Sequence, residues 1–434
     1  MATYLNKTLG TPTNNKIYTF SCWVKRAKLG QYSVMLNAGS SRDCLRFRGD
    51  NDRLHFFTGE ATTGGLATNR VFRDTSGYYH IVLAVDTTQA TDTNRVKLYV
   101  NGVQETSFAD TNYPAQNYTN VINSAVEHRI GKASNAYEEY FLGAMSYVIF
   151  VDGQQLAPTV FGETDATSGE WVIKTSPSVT YGDNGFFILK NGNSVTDQSG
   201  EGNNWAVAAG TLTDLKDCPD DVFATMNPLV TGTDMTLING NNTQQRTSAS
   251  WDYSVSTLGA NKGKYYFEGK IGGTGHWILG ATDDHAEIGQ NELGNGSGDA
   301  GWRDTGDVKV ANSSVSYSPS VTYTSSDVVC VAMDLDNHKI YFRKNGDAWI
   351  NSGDPTSGAT GTGAFNLAST TKTYFFAVCS YITSGTGTWD INFGNGYFGT
   401  SAISSEGTNA SNIGKFEYDV PTGYSALSAK GLNK

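Results

Sequence analysis

The chain has 434 residues, of which 38% are hydrophobic, 12% aromatic and 17% charged, and its formal net charge is −11. This length exceeds the roughly 100 to 250 residues of a single β-sandwich and predicts two domains. The acidic balance, without any basic stripe, excludes a nucleic-acid-binding footprint. Since no apolar run approaches the roughly 18 residues that span a bilayer, we expect no membrane insertion.

The cysteines are scattered and do not form a recognisable pattern. Cys22, Cys44, Cys218, Cys330 and Cys379 have spacings that favour neither a disulfide framework nor a zinc site. Cys22 and Cys330 lie in strand-like runs, where a free thiol acts as a small hydrophobe. No secretory signal precedes the first predicted strand, so we expect synthesis and folding in a cytoplasm.

The first half of the chain reads as short strands separated by tight turns. Residues 79–104 contain an apolar run, a polar turn and an alternating run that ends at Asn101-Gly102, the dipeptide most typical of a tight hairpin turn. Further strands are predicted at residues 16–25, 42–57, 129–131 and 141–151. No stretch has the helical period of a long amphipathic helix, so the sequence predicts an all-β fold.

The second half repeats the same local design. Residues 328–346 again run from an apolar strand through an Asp/Asn turn to an alternating strand that ends in Asn345-Gly346. Two copies of one β meander suggest two β domains. Between them, residues 229–249 are rich in Thr, Asn and Gly, which predicts a linker or a long surface connection. Residues 416–424 are predicted to form a final strand or a tail laid over the surface.

The first half resembles a known fold family. The runs FSCWVK, YYHIVLAVD, VKLYVNGV, RIGKA and YFLGAMSYVIFVDGQ occur in the order of the laminin-G/concanavalin A-like jelly roll. The later runs DGQQLAPTVFGE, YGDNGFFI, DQSGEGNNW and FATMNPL are similar to structural proteins of tailed bacteriophages, especially marine ones. This resemblance covers residues 3–230 and implies a virion component.

The second half resembles a SPRY (B30.2) domain. The blocks KYYFEGKI, HWILGAT, VVCVAMDLDNHKIYFRKNGD, TYFFAVCSY and WDINFG follow the order of that family over residues 250–398. The resemblance implies a bent sandwich of two antiparallel sheets that binds partners through its loops. The predicted organisation is therefore a jelly roll at 1–228, a linker at 229–249, a SPRY-like sandwich at 250–400 and a C-terminal extension at 401–434.

Carboxylates were considered first because a jelly roll can carry glycanase activity. A resemblance to laminarinase-type enzymes would imply Glu-x-Asp-x-x-Glu on one strand, where a period of two places the acids on one side of a cleft. Glu163/Asp165 and Glu417/Asp419 lack the third acid and lie in turn-like sequence, which favours surface acids. The sequence thus predicts no enzyme. An envelope polysaccharide depolymerase or glycan hydrolase remains the alternative, because acids distant in sequence can converge.

Other motifs give no catalytic or metal site. Residues 296–301 (GSGDAG) match a dinucleotide fingerprint, but they run into Trp302 without a following helix, so a loop is predicted. Asp86 and Asp92 flank the meander loop and could hold calcium, although turn capping explains them more economically. No other cofactor is predicted. The histidines, which show no metal spacing and are expected in the core or on the surface, are His55, His80, His128, His276, His285 and His338.

Candidate partner-binding residues lie beside Gly/Asp-rich loops of the SPRY-like half, at residues 291–307 and 345–354. They are Trp302, Arg303 and Trp349. Trp and Arg are the residues that most often dominate binding at interfaces. Aromatic residues at such positions could equally fill the sandwich core.

Together these observations predict a non-enzymatic phage virion component, either a tail fibre or knob subunit or a head decoration protein. We expect it to attach to other virion proteins, to recognise a glycan or protein on the host surface, and to be a homo-oligomer in the particle. Its expected location is the virion, assembled in the host bacterial cytoplasm. The chain lacks heptads and a repetitive shaft, so a knob or decoration subunit is as compatible with the sequence as a true fibre.

Overall fold

A computed structural model describes residues 2–40, 43–59, 65–190, 194–232, 234–283 and 292–433. The chain divides into two compact units, Met1–Asp214 and Leu215–Lys434. Both are built almost entirely of antiparallel strands, and the one α-helix among the described residues is the short Ala429–Leu432. The prediction of an all-β fold is confirmed. None of the described helices is long and apolar enough to cross a membrane.

The first unit is a two-sheet sandwich. Its strands are β1 (Tyr4–Thr8), β2 (Ile17–Arg26), β3 (Ser33–Ala38), β4 (Cys44–Phe47), β5 (Arg53–Phe57), β6 (Leu66–Val71), β7 (Tyr79–Asp86), β8 (Val96–Val100), β9 (Val103–Gln104), β10 (Phe108–Thr111), β11 (Glu127–Ile130), β12 (Gly143–Asp152), β13 (Gly162–Thr164), β14 (Trp171–Ile173), β15 (Phe186–Ile188) and β16 (Ala206–Ala209). Within the described residues one sheet has the order β10-β6-β5-β4-β3-β11-β1-β16 and the other β15-β12-β2-β7-β8-β9. The strands predicted at 16–25, 79–104 and 141–151 are confirmed.

Alternation along the strands explains where the core of this unit lies. Ile81, Leu83 and Val85 of β7 point into the main core, together with Leu36 and Phe47 of the facing sheet. The intervening side chains point to the outer face of the sheet, because successive residues of a strand face opposite sides. That outer face is also buried in an apolar cluster, whose members are Val82, Ile149, Val151, Phe161, Tyr181 and Phe187.

Residues 156–181 cover part of this outer face and are called the first strap. Its Trp171 donates an indole N–H to Nδ1 of His80 at 2.9 Å. The same ring lies against Gly102, where an added Cβ would stand 2.5 Å from the indole. The Asn101-Gly102 turn is therefore closed over by a residue some seventy positions later in the sequence.

The second unit is built on two long strands, β21 and β28, each of 19 residues. Its strands are β17 (Met226–Thr231), β18 (Met235–Ile238), β19 (Thr243–Arg246), β20 (Asp252–Ala260), β21 (Lys264–Thr282), β22 (Ala300–Arg303), β23 (Val308–Val310), β24 (Ser313–Val315), β25 (Val328–Asp334), β26 (Lys339–Lys344), β27 (Phe365–Asn366), β28 (Tyr374–Asn392), β29 (Tyr397–Phe398), β30 (Ser401–Ala402) and β31 (Ser425–Ala426). The pairing of β21 with β28 shifts register between Gly272 and Gly275.

The apolar side chains of this unit form three separate layers instead of a single core. The main core contains Trp302, Trp389 and Phe267. A second cluster, on the face of β20, β21 and β28 that points away from this core, contains Tyr253, Ile278 and Cys379. The third lies on the outward face of β21, β25 and β26, and its members there are Tyr266, Val328, Cys330, Ala332 and Tyr341.

The predicted linker at 229–249 is not a linker. It holds β18, β19 and the end of β17, and β19 pairs with β28 through Thr243↔Asp390 and Arg246↔Gly387. The two compact units divide between residues 214 and 215, before the predicted jelly-roll boundary at 228. The run was misinterpreted because its inward side chains are polar. Thr243 and Gln244 are buried through hydrogen bonds to Asp390 and Ser254.

Residues 397–427, here called the second strap, cover the third apolar layer with Phe398, Phe416, Val420 and Tyr424. Glu268 in β21 accepts hydrogen bonds from the backbone N–H groups of Glu417 and Tyr418, both at 2.9 Å. Burial raises the pKa of Glu268 to about 7, against the lowering effect of these bonds. The predicted tail over the surface is confirmed, and it is an integral part of the sandwich.

Candidate functional site

Trp302 lies in the core and not in a binding loop. It is completely buried, donates its indole N–H to the Tyr317 hydroxyl at 3.2 Å and packs edge-on against Tyr323 with ring centroids 4.7 Å apart. It belongs to β22, an inner strand paired with β21 and β23. The assignment of Trp302 as a partner-binding residue is therefore wrong.

Arg303, the next residue, points to the opposite face. Its guanidinium lies 4.8 Å from the ring centroid of Trp251, and Nη1 donates to Oε1 of Glu292 at 3.2 Å. Lys309 Nζ donates to the other Glu292 oxygen at 3.1 Å. The Arg303 side chain keeps 27% of its surface exposed, so this predicted residue is available at the surface.

Three partly exposed rings adjoin Arg303. Trp251 and Tyr381 have ring centroids 5.5 Å apart, and His276 lies 6.3 Å from each of them. His276 and Tyr381 are register partners on β21 and β28, and Trp251 immediately precedes β20. We call Trp251, His276, Tyr381 and Arg303 the aromatic patch. It combines apolar ring surface with a cation at one end of a packed sheet.

His276 is fixed by a carboxylate. Its Nδ1 lies 3.0 Å from Oδ2 of Asp304, and its side chain is 39% exposed while that of Asp304 is 11% exposed. Since a carboxylate accepts, Nδ1 carries a proton in this pair, and Nε2 is the ring nitrogen left for another partner, which it accepts from when the ring is neutral. The patch thus offers Nε2 of His276 and the donors of Arg303 in fixed positions.

Trp349 belongs to a different part of the unit. It is partly exposed, it lies 4.7 Å beneath the guanidinium of Arg343, and it packs edge-on against Tyr341 near the second strap. The three predicted residues are therefore distributed over three apolar layers, and of these three only Arg303 belongs to the aromatic patch. Sequence analysis missed Trp251, His276 and Tyr381 as a group. The signal that could have found His276 is the alternation of side chains along β21. Since Trp277 lies in the core, the adjacent His276 must face outward.

A serine–histidine pair in the first unit was considered as a nucleophile. Ser21 Oγ lies 2.9 Å from His80 Nε2, but the other ring nitrogen accepts the Trp171 indole N–H instead of donating to a carboxylate. Both residues are buried, and burial lowers the pKa of His80 to about 3. The contact is a packed interior hydrogen bond without the orienting carboxylate of a hydrolytic triad.

The two acid pairs hold turns. Asp165 accepts the backbone N–H of Ser168 at 2.7 Å, which lowers its pKa, and Glu163 pairs with Lys174 at 3.4 Å. Glu417 accepts the N–H of Ser404 at 3.2 Å, and Asp419 accepts that of Thr408 at 2.7 Å. The predicted turn surroundings are confirmed for Asp165, Glu417 and Asp419, whereas Glu163 lies in the short strand β13.

The proposed calcium residues also cap turns. Asp86 accepts from Thr88 and from Gln89 Nε2, the latter at 2.6 Å, while Asp92 accepts the N–H of Thr93 at 2.7 Å. In the part of the chain that the structure describes, no three His, Cys, Asp or Glu side chains are placed to hold a metal ion. His55, His80 and His128 are buried, His276 and His338 are partly exposed, and His285 lies outside the described residues.

The glycine-rich run 296–301 forms a loop that leads into β22 and not into a helix. Asp299 Oδ2 accepts the N–H groups of Gly294 and Gly296, each at 3.0 Å. Gly298 packs so closely against Asp283 that an added Cβ would stand 1.7 Å from its carboxylate oxygen. The prediction of a loop is confirmed.

Comparisons with known proteins agree with the two sandwiches. Residues 3–159 match the Laminin_G_3 family, described as the Concanavalin A-like lectin/glucanases superfamily, and residues 264–395 match the SPRY domain. The chain contains a laminin-G/concanavalin A-like domain followed by a SPRY domain. A search of curated proteins found no match.

Among solved structures, the SPRY domain of human HERC1 is 17% identical, with 38% of this chain and 96% of that chain covered and a TM-score of 0.31. The TRIM65 PSpry domain is 10% identical, with coverages of 38% and 87% and a TM-score of 0.29. Stonustoxin is 16% identical, with coverages of 39% and 27% and a TM-score of 0.29.

Proposed function

We propose that this chain is a non-enzymatic recognition subunit of a tailed-bacteriophage virion, and that its SPRY domain contacts a glycan or protein on the host surface. The observation that carries the proposal is the aromatic patch, in which three partly exposed rings and a stacked arginine share one end of a sheet. Large aromatic and arginine side chains are the groups that most often dominate binding energy at interfaces.

The patch is suited to binding because its side chains are already ordered. Arg303 is held by Glu292 and Trp251, and His276 is held by Asp304. A partner therefore meets groups that lose little conformational freedom on contact, and such preorganisation increases affinity. Three of the four patch residues lie within long or inner strands of the sheet, which fixes their positions further.

A polysaccharide-degrading function remains the competing proposal. The acid pairs at 163/165 and 417/419 are engaged in turn contacts, and Ser21 and His80 are enclosed in the first unit. These observations favour binding without turnover. In the particle, the proposed partners are other virion proteins and further copies of this chain, with assembly in the host cytoplasm. The virion assignment rests on the sequence resemblance of residues 3–230.

Adsorption measurements test the proposal directly. Purified chain should bind host cells and compete with intact virions, and antibody against the chain should label the particle surface. Arg303→Ala should weaken cell binding at least tenfold, since an interface anchor contributes about 1.4 kcal/mol or more. Arg48→Ala is the matched control, because Arg48 is 24% exposed and also pairs with two carboxylates, Asp50 and Asp110.

Two results would contradict this function. One is release of reducing ends from host polysaccharide by the wild-type chain, which would establish turnover. The other is unchanged competition by the Arg303→Ala variant at wild-type stability, which would remove the patch from the binding surface.

A further inference from the structure

We infer that the aromatic patch binds a neutral glycan, with one sugar ring against its aromatic surface and sugar hydroxyls bonded by Arg303 and His276. The inference rests on the proposed recognition function and specifies its ligand. Its first support is scale. The apolar surface comes from three rings with centroids 5.5 to 6.3 Å apart, and in the described part of the chain the exposed residues that lie next to His276 and Tyr381 along β21 and β28 are small, namely Gly273, Thr274, Thr383 and Ser384.

A standard protein interface buries roughly 800 Å² on each partner and contains several large anchors. The ring cluster is bordered by small residues and is closer in size to one or two pyranose rings. The rings are tilted by 39° to 54° against one another, so they present separate small faces rather than one flat platform. Such faces suit a ligand made of small, puckered units.

Charge gives the second support. Among the residues that the structure describes, the charged groups around the patch are two cations, Arg303 and Lys309, and two carboxylates, Glu292 and Asp304, which balance one another. Each cation already contacts a carboxylate. An anionic ligand would have to displace Glu292 from Arg303. A cationic ligand would be repelled by the Arg303 guanidinium, which lies over the Trp251 ring. A neutral ligand avoids both costs.

The third support is the mixture of donor and acceptor sites. Arg303 presents donors, and His276 presents an acceptor at Nε2 when neutral. A hydroxyl can accept from one group while donating to another, and polyols carry many of them. Neutral sugars match this set of groups.

Saturation-transfer NMR on the full chain tests the inference with six probes: the hexasaccharides of β-1,3-glucan, cellulose, mannan and chitin as neutral ligands, and polygalacturonate and heparin as acidic ones. We expect at least one neutral probe to bind. Trp251→Phe, which preserves packing against the Tyr253 cluster, should weaken that binding about threefold, and Arg303→Ala at least tenfold. Arg48→Ala should bind like wild type. Thermal melting of each variant establishes that it is folded.

The outcomes separate this inference from the proposed function. If the chain adsorbs to host cells, but only acidic probes bind or protease treatment of the cells abolishes adsorption, the neutral-glycan inference is overturned while recognition stands. Neutral-probe binding that is equal in wild type, Trp251→Phe and Arg303→Ala overturns the assignment to this patch. If the chain neither adsorbs to cells nor binds any probe, the proposed function itself fails.

Discussion

The two units contain the same local device, a meander whose Asn-Gly turn is closed by a distant aromatic ring. In the first unit Asn101 has φ 49° and its side chain accepts the His80 N–H at 2.8 Å. In the second, Asn345 has φ 48° and accepts the Val328 N–H at 2.8 Å. Gly102 lies against Trp171, and Gly346 lies against Tyr418, each 2.5 Å from a position where a Cβ would stand.

The difference lies in how each covering segment is held. The first strap is anchored by a neutral hydrogen bond between Trp171 and the buried His80, whereas the second is anchored by backbone N–H groups on the buried carboxyl of Glu268. The same type of turn is therefore covered in one unit by a segment that a neutral hydrogen bond holds, and in the other by a segment that an ionisable carboxyl group holds. In both units the covered face is occupied by the chain itself, so that face is not free for another molecule.

The largest expected effect tests whether the two units unfold separately. Trp302→Ala removes a completely buried indole, so it should lower the free energy of unfolding by about 4 kcal/mol. In a urea titration followed by tryptophan fluorescence, only the transition of the SPRY unit should move. Trp349→Ala, which removes a partly exposed indole, should cost less. Equal displacement of both transitions by Trp302→Ala would contradict the division at residue 214.

A second comparison uses the two turn glycines. Gly102→Ala and Gly346→Ala should each lower the free energy of unfolding by about 3 kcal/mol, because a Cβ is strained at positive φ and also displaces a packed ring. Gly30→Ala is the control, since Gly30 has φ 67° but no atom within 4 Å of the added Cβ. It should cost about 1 kcal/mol. Similar losses of unfolding free energy in all three variants would show that the rings of Trp171 and Tyr418 move aside without an energetic cost.

The third comparison concerns how the stability of each unit depends on pH. Burial lowers the pKa of His80 to about 3 and that of His128 to about 4, below the ordinary value of 6.5. The unfolded chain then binds more protons, so the first unit should lose stability below pH 6.5, about 2 kcal/mol for each histidine by pH 5. The pKa of Glu268 is raised to about 7, so its contribution is present at low pH and is lost as the pH rises through 7.

Urea titrations between pH 5 and 8 check these opposite slopes. His80→Gln should flatten the acid loss of the first unit, and Glu268→Gln should flatten the loss of the second unit as the pH rises from 5 to about 7. Parallel pH profiles for the two transitions would refute the distinction between the neutral and the ionisable anchor.

The smallest effect concerns the surface acids. Glu163→Ala and Asp165→Ala should change neither the unfolding midpoint of the first unit nor cell adsorption, because both side chains contact only nearby turn residues or Lys174. A variant that stays folded but loses turnover of a host polysaccharide would restore the enzyme interpretation.

Much of the fold could be predicted from the sequence because the relevant signals are local. The apolar runs of β7 and β25 and the two Asn-Gly turns identify both meanders. The linker was misjudged because β19 buries Thr, Gln and Arg side chains, and Thr243 finds its hydrogen-bond partner at Asp390, far along the chain. Composition alone gives no information about such partners.

The site was harder to predict than the fold. Arg303 was identified by residue type, but its neighbours come from β28 and from the start of β20, and only sheet register brings them together. Trp302 was misassigned because adjacent residues of a strand face opposite sides, and the sequence around it resembled a loop. The strand phase set by Trp277 places His276 on the outer face, whereas Trp302 and Tyr381 are placed only by the pairing of β22 and β28 with β21.

Four of the thiols lie in four different apolar layers, so each of these four layers carries its own chemical reporter. Cys22 lies in the main core of the first unit and Cys44 in a smaller cluster, while Cys330 lies under the second strap and Cys379 under the outward face near the aromatic patch. Burial raises the pKa of Cys330 and of Cys379 to about 12, which keeps both thiols unreactive while their layers are closed. Pulsed alkylation followed by peptide mass spectrometry would therefore time the opening of each layer separately within one unmodified molecule.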